Sequence, residues 1–100
     1  MPDTQTLPRE EIHTRRIPPY HVILLNDDHH TVDFVVSVLR KALGYSQERA
    51  FQLMLEAHES GRSIVWTGPK EVAELKCDQI RTFHQDPFGP LGCLLEPACG

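Results

Sequence analysis

A chain of 100 residues has room for one domain built on one hydrophobic core. Hydrophobic residues make up 40% and charged residues 24%, an ordinary soluble composition, and a net charge of −4 excludes the basic face a nucleic-acid binder needs. No apolar run approaches the ~18 residues of a membrane span, so nucleic acid and membrane are both excluded as partners.

Residues 1–18 hold three prolines and several charges without apolar periodicity, and Pro18-Pro19 closes the stretch. They read as a flexible tail ahead of a domain over residues 19–98. Met1-Pro2-Asp3-Thr4 has neither the basic start nor the apolar stretch of a signal peptide, so a cytoplasmic protein is expected. His21-Val22-Ile23-Leu24-Leu25 is a strand that stops at Asn26-Asp27-Asp28. Thr31 then caps a helix whose apolar positions are Val32, Val35, Val36, Leu39, Ala42 and Leu43, with Gly44 as its stop. Ser46 caps a second helix, with Glu48 in the first turn where the dipole favours negative charge. Ala50, Leu53, Met54 and Ala57 form its apolar face, and Gly61 ends it.

A second strand covers Ser63-Ile64-Val65-Trp66-Thr67 before the Gly68-Pro69 break. Pro69 opens a third helix, with Val72, Ala73, Cys77, Ile80 and Phe83 expected inward and the Lys76 stem at the edge of that face. A Pro/Gly loop from Gln85 to Pro90 leads to a closing strand over Leu91–Glu96. The order is βααβαβ. It implies an α+β, two-layer sandwich: a three-stranded antiparallel sheet with three helices on one face. Cys77, Cys93 and Cys99 are odd in number, with no zinc spacing and no CxxC, so reduced thiols without metal or cofactor are expected.

The most polar cluster is Asn26-Asp27-Asp28-His29-His30, between the first strand and the first helix. A small metal-dependent hydrolase would use these two carboxylates and two imidazoles, although adjacent residues rarely converge on one ion. A plainer reading has Asn and Asp forming the turn and capping the helix. Met54 and His58, four residues apart, share one helical face; taken alone, they are a core methionine and a helix-end histidine. No nucleophile has a catalytic setting, and there is no glycine-rich phosphate loop. A domain that buries only ~60% of its unfolded surface also has little depth for a catalytic cavity.

Several blocks in a fixed order carry a resemblance. They are Val22 to Asp28, Asp33-Phe34-Val35, Glu48-Arg49-Ala50, and Gln52-Leu53-Met54-Leu55 with His58. Gly61, Glu71-Val72-Ala73-Glu74 with Lys76, Pro90-Leu91 and Leu95-Glu96 continue the series. From Pro19 to about Ala98 the chain resembles the ClpS family, adaptors that deliver N-end rule substrates to a Clp AAA+ unfoldase and its protease.

The resemblance implies a binding module and not an enzyme. Asn26, Asp27 and His58 would hold the α-amino group of a captured protein. A free α-amine, with a pKa of about 7.7–8.0, is mostly cationic at neutral pH and presents only donors. Asp27 supplies charge, Asn26 a carbonyl oxygen and neutral His58 a ring nitrogen. The first side chain (Leu, Phe, Trp or Tyr) would enter a pocket walled by Val32, Val35, Met54, Ala57 and Leu91, with Asp28 and His30 at the entrance. Burying it contributes roughly 1.5–3 kcal/mol, so affinity near the micromolar range is expected.

The resemblance also places unfoldase docking on Glu71 and Lys76, facing the N-terminal domain of the unfoldase, with the adaptor a monomer. The family usually carries threonine and proline where His30 and Thr31 stand, and methionine and valine in place of Val32 and Ala57. The two smaller wall residues imply a wider pocket, one that admits branched first residues such as Ile and Val or favours the bulkiest aromatics. Outside the resemblance, the hydrolase and a ligand-free assembly domain stay as the rival readings.

Overall fold

The computed structural model describes residues 17–98. The expected tail therefore lies almost wholly outside the described residues. Six elements follow in the order strand, helix, helix, strand, helix, strand: β1 (Tyr20–Leu25), α1 (Val32–Leu43), α2 (Gln47–Ser60), β2 (Arg62–Gly68), α3 (Lys70–Arg81) and β3 (Cys93–Pro97). The sheet is antiparallel with strand order β2-β1-β3, so the apolar run of β1 sits in the middle, flanked on both edges. This α+β arrangement is the one expected from the sequence.

Local chemistry sets the helix limits. Thr31 Oγ1 accepts from Phe34 N and Ser46 Oγ from Arg49 N, each satisfying an otherwise unpaired first-turn donor. Gly44 (φ 76°) and Gly61 (φ 92°) end α1 and α2 in the left-handed region, where a side chain would be strained. Pro69 stands as the N-cap of α3 rather than inside it.

Val22 and Leu24 of the central strand meet Ala50, Leu53, Met54 and Ala57 of α2 and Ala73, Cys77 and Ile80 of α3 in one core. A register shift at Val22/Ile23 gives β2 an extra residue, so Val65 and Trp66 both pack against that core. On the opposite face, Ile23 is flanked in register by Ile64 and Leu94 and is also fully buried. Tyr45, in the turn between α1 and α2, donates its hydroxyl to the Val65 carbonyl (2.5 Å) and ties the helical layer to the sheet.

Four details differ from the sequence expectation. Val38, off the expected α1 face, is buried, because α1 packs against both α2 and α3 and so has two covered sides. Val72, expected inward, is 38% exposed; the inner stripe of α3 is Ala73, Cys77 and Ile80. Phe83 packs against the core from beyond the end of α3. The closing strand begins at Cys93 and runs through Pro97 instead of spanning Leu91–Glu96. Leu91 falls outside the ladder, which starts where Cys93 pairs with Leu24, and its side chain is buried.

Candidate functional site

Three backbone segments converge where β1 ends. Leu25 N donates to Gly92 O (2.9 Å) and Asn26 N to Gly61 O (3.1 Å), so the strand end is pinned between the approach to β3 and the C-terminus of α2. The chain then turns through Asp27-Asp28-His29-His30 into α1. Asp27 builds that turn: its Oδ1 accepts the backbone N–H groups of His29 (2.9 Å) and His30 (2.8 Å). The helix cap is Thr31, so Asp27 forms the turn while neither Asn26 nor the two aspartates cap the helix.

The convergence leaves one small pocket of about 60 Å³, lined by Leu24, Leu25, Asn26, Asp27, His30, Val32, Val35, Met54, Ala57, His58 and Leu91. The residues named from the sequence for the amine site and for the side-chain pocket are thus brought together. Met54, Ala57 and Leu91 form the buried wall, Val35 is half-buried, and Val32 is 50% exposed at the rim. Asn26 and His58 are exposed. Among the described residues, no protein group is hydrogen-bonded to the Asn26 amide or to the His58 ring. Leu24 and Leu25 also contribute, a role hidden in the sequence because both read as strand core. Asp28 is exposed in the turn and does not line the pocket. Glu71 (exposed) and Lys76 (half-buried) stand on α3, away from this lining.

His30 sits deeper than an entrance residue, with only 4% of its side chain exposed. Its Nδ1 lies 2.8 Å from Asp27 Oδ2 and its Nε2 2.7 Å from the Gly89 carbonyl oxygen. The ring also stacks on Phe34, with centroids 5.3 Å apart. Next to it, Thr31 and Gln85 exchange two contacts: Thr31 N donates to Gln85 Oε1 (3.0 Å) and Gln85 Nε2 donates to Thr31 Oγ1 (3.1 Å). Thr31 and Gln85 are 54 residues apart in the chain, which is why no local signal in the sequence announces the pairing.

Burial pushes the Asp27 carboxyl up, but the backbone N–H groups of His30 and His29 and the His30 side chain outweigh it and hold the group below the ordinary value of 3.8. The carboxylate is thus stabilised at all pH values above 3.8, and its contribution to stability is lost only as pH falls through the lowered value. It stays ionised between pH 7 and 5.5. If His58 contacts an amine here, His58→Gln should lower affinity for a free-amine peptide in an anisotropy titration, and unchanged affinity would remove His58 from that contact.

What the cluster offers a metal is limited. Both ring nitrogens of His30 already face oxygen atoms, and the His29 ring stacks on Phe88 at 5.3 Å. Among the described residues no group of three His, Cys, Asp or Glu side chains is placed to hold an ion. Cys77 and Cys93 are buried free thiols, and burial pushes Cys93 far above the ordinary thiol range.

The pocket and the fold can be set beside known proteins. Residues 15–94 match the family model of the ATP-dependent Clp protease adaptor protein ClpS. The chain belongs to the ClpS family. ClpS adapter proteins of Aromatoleum aromaticum and Sodalis glossinidius are 39% and 40% identical to it, over 94 and 98 residues. These alignments cover 94% and 96% of this chain and 92% of each relative. A solved structure, Agrobacterium tumefaciens ClpS2 bound to L-phenylalaninamide, superposes with a TM-score of 0.77 at 30% identity. It covers 83% of this chain and 100% of that one. ClpS proteins are adaptors of a protease and not catalysts themselves, which agrees with the absence of a nucleophile's setting in the sequence. No helix among the described residues is long and apolar enough to cross a membrane.

Proposed function

We propose that this ClpS-family adaptor captures the first residue of other proteins in the pocket at the end of β1 and passes those proteins to a Clp AAA+ unfoldase. The observation that carries the reading is the meeting of an ionised carboxylate, an amide and an imidazole with an apolar wall in one pocket. Asn26, Asp27 and His58 take the α-ammonium, whose three N–H groups need acceptors. Met54, Ala57, Leu91, Val35 and Val32 take the side chain. An internal residue has no ammonium, so binding it would leave those polar groups unpaired at a cost. Phenylalaninamide, bound by the Agrobacterium relative, has the required chemistry: a free α-amine, an aromatic side chain and an amide where the chain continues.

Docking to the N-terminal domain of the unfoldase falls to α3, at Glu71 and Lys76, and the adaptor works as a cytoplasmic monomer without cofactor. Val32 is 50% exposed and Ala57 is buried in the wall, which supports Ala57 as the main source of any widening of the pocket. Peptides differing only in residue one (Phe, Leu, Trp, Tyr, Ile, Val, Arg, Ala) test the reading by anisotropy, with N-acetyl-Phe as control. Micromolar or tighter binding of the bulky apolar set, lost on acetylation, is the expected result. Ile and Val should bind more tightly than Ala. If acetylation leaves binding unchanged, the pocket does not read an amine and the assembly-domain reading takes its place.

A further inference from the structure

The ring of His30 lies between two groups that only accept hydrogen bonds, the Asp27 carboxylate and the Gly89 carbonyl, and both contacts are shorter than 3 Å. A neutral imidazole has one N–H and would set a lone pair against one of them, so this geometry uses both nitrogens as donors. The contact spans 59 residues of sequence and joins the turn that carries Asp27 to the 85–90 loop that leads into Leu91. That loop is closed on itself: Gln85 N also donates to Gly89 O (3.1 Å), and Phe88 N (2.7 Å) and Gly89 N (3.0 Å) donate to Gln85 O. Its outer side is held by the Thr31–Gln85 exchange and by Phe88, which stacks on His29 and meets the His30 ring edge-on at 6.0 Å.

We propose that His30 is a positioning residue of the capture site, tying the Asp27 carboxylate to the 85–90 loop so that amine binding and the placement of the Leu91 wall depend on one ring. The inference rests on the reading that this pocket takes a first residue, and it goes further by making side-chain discrimination a property of the tie. Asp27 is aimed by three donors, two from the backbone and one from His30. Removing the third frees Oδ2, and the same change releases Gly89. A residue that merely packed in the turn would couple neither.

His30→Phe separates the two roles, because it keeps an aromatic ring to stack on Phe34 and loses both hydrogen bonds. The expected result is a loss of about tenfold in affinity for a Phe-first peptide, the scale of one charge-assisted hydrogen bond. The Phe-over-Ala preference should narrow with it, and amide exchange at Phe88 and Gly89 should quicken. His30→Thr, which is too short to span both partners, should loosen the loop in the same way. Wild-type affinity and wild-type exchange in His30→Phe would overturn the proposal. Nitrogen-15 spectra of the His30 ring in the unaltered protein give a readout independent of how the variants fold. Two slowly exchanging ring N–H signals are expected, and a ring with one protonated nitrogen would overturn the tie. If the unaltered protein ignores free-amine peptides while both ring signals are present, the capture reading falls and the tie stands.

Discussion

Asp27→Asn should lower affinity for a Phe-first peptide by about ten- to a hundredfold with little change in the fold. Three duties meet on this side chain, because Oδ2 also faces His30 Nδ1 at 2.8 Å and an asparagine amide nitrogen there would lose that bond. Oδ1 holds the backbone N–H groups of His29 and His30, and an asparagine carbonyl can still accept both. Its negative charge cannot be replaced. A charge-assisted hydrogen bond is worth about 1.5–3 kcal/mol, and about 1.4 kcal/mol corresponds to a factor of ten. Asp27→Ala adds a further loss, since two backbone donors of the turn go unpaired, and should lower the melting temperature where Asn does not. Circular dichroism on both variants, alongside anisotropy, separates the duties. Wild-type affinity in Asp27→Asn would mean that the carboxylate only shapes the turn.

Ala57→Leu should close the pocket to large first residues, with Phe and Trp losing about tenfold or more and small residues little affected. Ala57 lies in the buried wall beside Met54, and the pocket offers about 60 Å³. Three added carbons on a buried wall residue fill space that a large first side chain needs, and overpacking costs about 1–3 kcal/mol. Val32→Met, at the half-exposed rim, should shift the preference among first residues by less. The comparison reads which wall residue sets specificity. Equal Phe binding in wild type and Ala57→Leu would show that the first side chain goes elsewhere.

Both predictions draw on a site that is only partly local in the chain. Asn26 and Asp27 are neighbours at a strand end, and the Met54/His58 pair follows from helical spacing. That these two groups face the same pocket is written nowhere in the local pattern; the resemblance to the ClpS family supplied it before the fold did. His30 marks the limit of both. Neither spacing nor resemblance gives its contact with Gly89, because the partner is a backbone carbonyl, which carries no side-chain identity for a sequence to display.

The same division runs through the fold. By itself the sequence determined the six elements and their order, since caps such as Thr31 and Ser46 and left-handed stops such as Gly44 and Gly61 act within one turn of the chain. It also determined the inner face of α2, where four apolar residues repeat at helical spacing and all four are buried. Only the tertiary structure decided that Val38 is buried and Val72 exposed, because burial depends on which neighbours cover a helix and not on its own period. It alone set the start of β3, which is fixed by register against β1. And it alone brought the pocket together, because the Gln85–Thr31 and His30–Gly89 contacts join segments more than fifty residues apart that only the fold makes neighbours.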